Sequence, residues 1–411
     1  MMKKNEIGRR GFLKRTTAAG AILAGTSGLE SLSFAQGGSA VARVPMKELG
    51  TTGVKIPVLG MGGSQKFDAR YDRRLHRAFQ IGITYFDSSE RYSNGQSHRT
   101  LATFFEQVER KNVWITSKVS SETHPARNDA PPEHFKNNVD KVLNELKTDY
   151  LDMFFMHGID DTRFLEPEFI KMSEELKKSK KINFFGFSCH GGNLPALLEK
   201  AAQAGGIDAI MFRYSFRTYG DAALNRAIDA AKEAGIGLLA MKTMGAIAED
   251  DERILNFQSQ NFTLPQAKLK TIWADDRIDC CVSEMENIQM VQENSAAALS
   301  TDPLAMEEFH QLNRLAAQTA GQHCLGCRHL CESKVDRELK IADTLRYLMY
   351  HQAYGKHELA RECFGRMSPE DRDFERVDLE AAMAACPQGI RLDQKLAEAS
   401  RILGEKGPSK V

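Results

Sequence analysis

From residue 58 onward, short runs of consecutive apolar residues alternate with longer amphipathic stretches. The apolar runs fall at 58–61, 83–86, 113–117, 151–156, 182–187, 209–214, 237–241 and 280–282. Runs this short and continuous predict parallel strands covered on both faces. Between them, residues 72–80, 97–108, 133–146, 166–179, 193–204, 221–234, 265–273 and 287–298 have helical periodicity. Eight strand-then-helix units over about 250 residues predict an α/β fold, a closed (β/α)8 or TIM barrel. An open doubly wound sheet is the main rival, but its Gly-x-Gly-x-x-Gly turn is absent after the first strand. Ahead of the first unit, Met46 to Ile56 sets turn residues between short apolar runs and predicts a hairpin closing the barrel bottom.

Past residue 300 the strands stop. Residues 303–319, 336–354, 356–364, 378–385 and 392–403 read as helices, the second with Ile341, Leu345, Leu348 and Met349 on one face. The expected organisation is a targeting segment over 1–35, a Gly/Ser/Ala linker over 36–45, a barrel over 46–300 and a helical module over 301–411.

Three of the predicted strands end on polar residues. Asp87 closes one, with Tyr92 on the loop after it; Lys118 follows the next, and His157 ends the third. A parallel barrel keeps its chemistry at the C-terminal ends of its strands. Taken singly, each residue has a bland reading: a turn-capping Asp, a surface Tyr, a solvated Lys, a hydrogen-bonded His. Together they can assemble a proton donor. A free phenol has a pKa near 10 and is a poor acid at neutral pH, and a neighbouring ammonium favours its ionised form.

Asp87, Tyr92, Lys118 and His157, in the settings Phe-Asp-Ser-Ser-x-x-Tyr, Ile-Thr-Ser-Lys and Met-His-Gly, resemble the tetrad of the aldo/keto reductase family. The resemblance covers residues 46 to 300 and implies carbonyl/alcohol interconversion. Tyr92 would be the general acid, its pKa lowered by Lys118, with Asp87 fixing Lys118 and His157 orienting the substrate oxygen. It further implies an NAD(P) site drawing on Gly63, Ser64, Ser188, Lys242 and Asn294. Several positions depart from the family pattern. Cys189 stands for the usual Asn, Met211 for a Gln, Met241 for the aromatic beneath the nicotinamide, and His98 for a Glu. Glu284 and Met290 stand where NADPH-using members carry Lys and Arg. A carboxylate at 284 repels a ribose phosphate, so either another cation serves or the cofactor is NAD.

The chain has eight cysteines. Cys189, Cys280 and Cys281 lie in strand contexts and read as buried small hydrophobes. Cys324, Cys327 and Cys331 have C-x2-C-x3-C spacing, and Cys386-Pro387 follows in the helical region. A tight run of thiols with a remote Cys-Pro is how ferredoxin-type [4Fe-4S] centres are ligated. Cys363 and His329 are alternative ligands, a structural zinc on four cysteines is the rival, and disulfides or free thiols remain a further reading. The arrangement resembles the subset of aldo/keto reductases with a C-terminal ferredoxin-like domain, which implies one cluster.

Arg9-Arg10-Gly11-Phe12-Leu13-Lys14, a mildly apolar run and Ser33-Phe34-Ala35 form a twin-arginine export pattern, which implies a periplasmic or extracytoplasmic protein exported folded. A fortuitous motif on a cytoplasmic enzyme is the competing reading. Formal net charge is zero and no basic tract stands out, against a nucleic-acid partner. No later apolar run is long enough to span a bilayer. The chain is therefore expected to be an oxidoreductase acting on a small-molecule carbonyl or alcohol, with an electron-transfer partner protein. The alternative is a non-catalytic binding or scaffold barrel that has lost nicotinamide, with zinc in its tail.

Overall fold

The computed structural model describes residues 42–124, 127–248 and 251–404. The targeting segment and most of the linker lie outside them. A short antiparallel hairpin comes first, β1 (Met46–Glu48) with β2 (Lys55–Pro57). The barrel begins with β3 (Leu59–Gly62), β4 (Tyr85–Asp87) and β5 (Trp114–Ser120). A second hairpin, β6 (Glu122–His124) with β7 (Arg127–Asn128), interrupts the loop after β5. Then come β8 (Leu151–His157), β9 (Ile182–Cys189), β10 (Ala209–Arg213), β11 (Gly237–Met241) and β12 (Cys280–Ser283). Strands β3, β4, β5 and β8 to β12 are parallel neighbours in chain order, and β12 pairs with β3 to close the ring.

The connecting helices are α1 (Arg73–Gln80), α2 (Gln96–Phe105), α3 (Pro132–Leu146), α4 (Pro167–Lys178), α5 (Leu194–Ala204) and α6 (Ala222–Glu233). The short α7 (Asp251–Ile254), α8 (Leu264–Trp273) and α9 (Ile288–Leu299) complete the set. Each apolar run of the sequence forms a barrel strand, because side chains facing the helices and side chains facing the barrel interior are both shielded from water. Phe154, Phe185, Phe187 and Phe212 pack outward against the helices. Tyr85, Trp114, Met153, Phe155, Met211 and Leu239 fill the interior, and Leu49 and Ile56 of the first hairpin seal its lower end. Gly60 makes room for this filling, since a Cβ there would stand 2.6 Å from the Tyr85 ring.

Next follows α10 (Met306–Gln318), whose Leu312 and Leu315 pack with Phe216, Leu255, Phe262 and Leu264 of the barrel. The helical core proper lies beyond it: α11 (Arg328–Cys331), α12 (Ile341–Gln352), α13 (His357–Arg366), α14 (Glu380–Ala384) and α15 (Leu392–Gly404). Ile341, Leu345, Leu379, Leu392 and Leu396 form one apolar cluster there, and Tyr347, Leu348, Phe364, Met367 and Leu403 another. Among the described residues no helix is long and apolar enough to cross a membrane.

Candidate active site

Alternation along each strand sets the site. Successive side chains point to opposite faces, so the parity that sends Tyr85, Thr116 and Phe155 inward also sends Asp87, Lys118 and His157 inward, one step higher. Register staggers them by two residues per strand: Asp87 pairs with Thr116, two before Lys118, and Lys118 with Phe155, two before His157. Lys118 Nζ donates to Asp87 Oδ1 at 2.5 Å and to the Ser88 carbonyl at 2.9 Å. It lies 3.5 Å from the Tyr92 hydroxyl and 5.0 Å from the centre of that ring. The Tyr92 and His157 rings meet edge to face at 5.7 Å. Ser89 Oγ is 2.9 Å from His157 Nδ1, and Nε2 has no hydrogen-bond partner among the described residues. All four residues expected from the sequence therefore surround one space.

Their electrostatics correct one expectation. Burial, then the Asp87 and Glu284 carboxylates, push the Tyr92 phenol well above its usual value. Lys118, 3.5 Å from the hydroxyl, favours the phenolate, but Asp87 set against the same ammonium offsets that pull. Burial raises the Asp87 carboxyl and lowers the Lys118 ammonium. Burial, then Lys118 and Arg91, hold His157 far below its ordinary range. The site at neutral pH is thus a protonated phenol beside a neutral imidazole, with one internally compensated ion pair behind them.

A cavity of about 1930 Å³ opens above these groups. Asp87, Tyr92 and His157 line it, as do Ser64, Met211, Met241, Lys242, Glu284 and Met290. The other expected cofactor residues lie behind its wall. Ser188 Oγ accepts the Gly158 amide at 3.0 Å, and Asn294 donates to Ser283 Oγ at 3.2 Å. Gly63 packs on the Asp87 carbonyl, 2.2 Å from where a Cβ would stand. His98 is buried between Glu145 at 2.7 Å and Ser117 at 2.8 Å, a satisfied link between helices and strand.

The far wall comes from the helical module. Arg346, Tyr350, Tyr354 and Lys356 line the same cavity. Lys356 donates to the Ser64 carbonyl at 2.7 Å and pairs with Glu284, while Lys242 lies 3.9 Å from that carboxylate. The Tyr350 and Tyr354 rings sit over the Lys242 ammonium, at 5.0 and 5.1 Å. The sequence marked the apolar face of α12 but gave no sign of this polar one, because tyrosines at helical spacing read equally well as core.

The cysteine loop docks at the same rim. Arg213 at the end of β10 donates to the Cys324 carbonyl at 2.8 Å, and Arg328 pairs with Asp160 at 2.5 Å. The Gly192 amide donates to the Gly326 carbonyl at 2.6 Å. Cys324, Cys331 and Cys386 belong to one packed cluster of the module. Cys327 shares its electrostatic environment with Cys324 and Cys386. Cys363 sits in the module's other core with Tyr347 and Phe364, and His329 is exposed. Cys189, Cys280 and Cys281 are buried in the barrel, as expected. Among the described residues no three His, Cys, Asp or Glu side chains are placed to hold a single metal ion.

The aldo/keto reductase family profile matches residues 54–318. L-galactose dehydrogenase of Arabidopsis thaliana is 22% identical over 299 residues, covering 65% of this chain and 92% of that protein. An uncharacterized oxidoreductase of Bacillus subtilis is 27% identical over 179 residues, 41% of this chain and 56% of its own length. Among solved structures, an aldo-keto reductase from Bacillus halodurans in its holo form superposes with a TM-score of 0.56 at 21% identity. That match covers 66% of this chain and 96% of the other. One from Klebsiella pneumoniae in complex with NADPH gives 0.52 at 20% identity, covering 66% and 94%. With its closed barrel and the profile match over most of its length, the chain belongs to the aldo/keto reductase family of oxidoreductases.

Proposed function

We propose that this protein interconverts a carbonyl and an alcohol at Tyr92, with NAD(P) held in the same cavity and a [4Fe-4S] cluster on Cys324, Cys327, Cys331 and Cys386. The observation that carries the reading is the convergence of Tyr92, His157 and the Lys118–Asp87 pair on one cavity. A carbonyl oxygen between Tyr92 and His157 is held by the neutral imidazole Nε2 and faces the phenol proton. Tyr92 donates that proton as negative charge develops on the oxygen. Lys118, 3.5 Å away, stabilises the phenolate left behind and so eases the transfer. In the alcohol-to-carbonyl direction the same groups act in reverse.

When bound, the nicotinamide supplies or accepts the hydride. The cavity's size and its wall of Ser64, Lys242 and Glu284 fit such a group, and the relative from Klebsiella pneumoniae is a complex with NADPH. Lys242 and Lys356 flank Glu284, so the carboxylate is compensated and a phosphate is not excluded. Cys324, Cys327, Cys331 and Cys386 lie near enough to influence one another's thiols, as a shared cluster requires. Such a cluster spreads its four thiolates further apart than zinc does, and the Gly326 amide already donates to Cys324 Sγ at 3.3 Å. When bound, the cluster passes single electrons, here to or from a partner protein, which suits an enzyme exported folded to a compartment without nicotinamide recycling. The binding-only alternative rests on Met211 and Met241, which give a bound ring neither an amide nor an aromatic partner. The test is metal, sulfide and absorption analysis of anaerobically prepared protein, with a carbonyl screen of wild type and Tyr92→Phe. Bound nicotinamide, iron with sulfide, and a roughly 10²–10⁴-fold loss in the variant support the proposal; zinc alone and identical activities overturn it.

A further inference from the structure

The cavity contains a charged group that proton transfer does not use. Arg346 belongs to α12 of the helical module, yet lines the same cavity as Tyr92 and His157. Its Nη2 donates to Asp343 Oδ1 at 2.7 Å and reaches the Tyr347 hydroxyl at 3.4 Å. Its Nε is shielded from solvent and has no acceptor among the described residues. Those two Nη2 contacts are the guanidinium's only hydrogen bonds among these residues. A guanidinium has five donors in a rigid fork, and leaving buried ones unmade is costly. A planar, bidentate oxyanion is the partner that fork fits.

The charges that bear on the two histidines of this cavity are cations, while Arg346 itself, against its burial, is held charged by Asp343 and Glu122. After burial, the influences lowering the His157 imidazole are Lys118, Arg91, Arg346 and Lys242, all cations. For His190, which lines the same cavity, they are burial, then Arg346 and Lys242, then His157 and Arg213. The nearby carboxylates are already engaged: Asp87 by Lys118, Glu122 by Arg91, Glu284 by Lys356 and Asp343 by Arg346 itself.

We propose that Arg346, delivered by the helical module, anchors a carboxylate on the substrate, so that the enzyme acts on keto or hydroxy acids in preference to neutral carbonyls. This rests on the oxidoreductase reading of the same cavity and names its substrate class. In the barrel, Tyr92 and His157 hold the reacting oxygen; in the module, Arg346 holds the acid group.

The experiment compares acids with their neutral amides, glucuronate with glucuronamide and pyruvate with pyruvamide, on full-length holoprotein. Wild type is expected to favour the acids in kcat/KM. Arg346→Met should cut the acid-to-amide ratio by more than about tenfold, mainly through KM, and Arg346→Lys should give an intermediate ratio. A merely structural role lowers acid and amide equally and leaves the ratio alone; that result, or a wild type without preference for acids, overturns the proposal. If no probe is turned over, the oxidoreductase reading fails and calorimetric titration of malonate against malonamide decides this one. Malonate binding weakened at least tenfold by Arg346→Met supports the anchor, while absent or unaltered binding overturns it.

Discussion

Tyr92 acts in a setting where burial and carboxylates suppress its acidity and the Lys118 ammonium opposes them. Removing Lys118 as Lys118→Met should therefore slow turnover and push the phenol's pKa further up, since no ammonium then opposes burial and the carboxylates. A pH profile of kcat in the reducing direction is expected to lack a break from Tyr92 or His157 between about pH 7 and 9, as one group stays protonated and the other neutral. The histidines also fix the sign of a stability change. His157 and His190 remain uncharged in the folded chain but accept protons when unfolded below pH about 6.5. The unfolded state then binds more protons, so stability falls as pH drops through that value. Thermal unfolding at pH 5 and pH 7 should show the lower midpoint at pH 5, with a smaller gap in His190→Gln. Breaking the buried pair by Asp87→Asn is expected to cost about 3–5 kcal/mol, read by denaturant unfolding. Asp87, Lys118 and His157 were legible in the sequence because each ends an apolar run, and Tyr92 from its place on the loop after Asp87, whereas His190 carried no mark. Their tuning was not legible, since it depends on Asp87 and Lys118 meeting at 2.5 Å across two strands.

Among the elements, the eight barrel strands were the most legible part of the chain, because burial on both faces leaves an unbroken apolar signature. The hairpin β6–β7 was not, its short polar strands resembling any specificity loop. Helix α12 was half legible. Its Leu345 and Leu348 face was evident, whereas Arg346 and Tyr350 acquire meaning only from the barrel opposite them. The Gly191–Gly192 turn is another element whose role depends on its partner. A Cβ on Gly192 would stand 2.0 Å from Cys327 Cα. Gly192→Ala should push the cysteine loop off the rim, costing about 1–3 kcal/mol by calorimetry, and under the proposed cluster assignment it should lower the iron retained per chain, read by metal analysis. Unchanged stability and unchanged iron together would mean that the contact is dispensable.

Across the whole molecule, barrel and helical module share one cavity rather than standing as separate bodies with separate tasks. The sequence showed both but not their contact, since Lys356 and Glu284, or Arg213 and Cys324, are far apart in the chain and carry no local mark of each other. Lys356 fastens the module to Ser64 and Glu284 at the end of β12. Lys356→Ala should leave Glu284 without its nearest cation and widen the mouth, seen as faster proteolysis of the loop before α13 and weaker nicotinamide binding. This clasp also bears on how such a chain diversifies. A barrel whose reaction chamber is closed by an appended domain cannot gain or lose that domain without changing which molecules fit inside. Inheritance of the tail and choice of metabolite are thereby tied to the same ion pair.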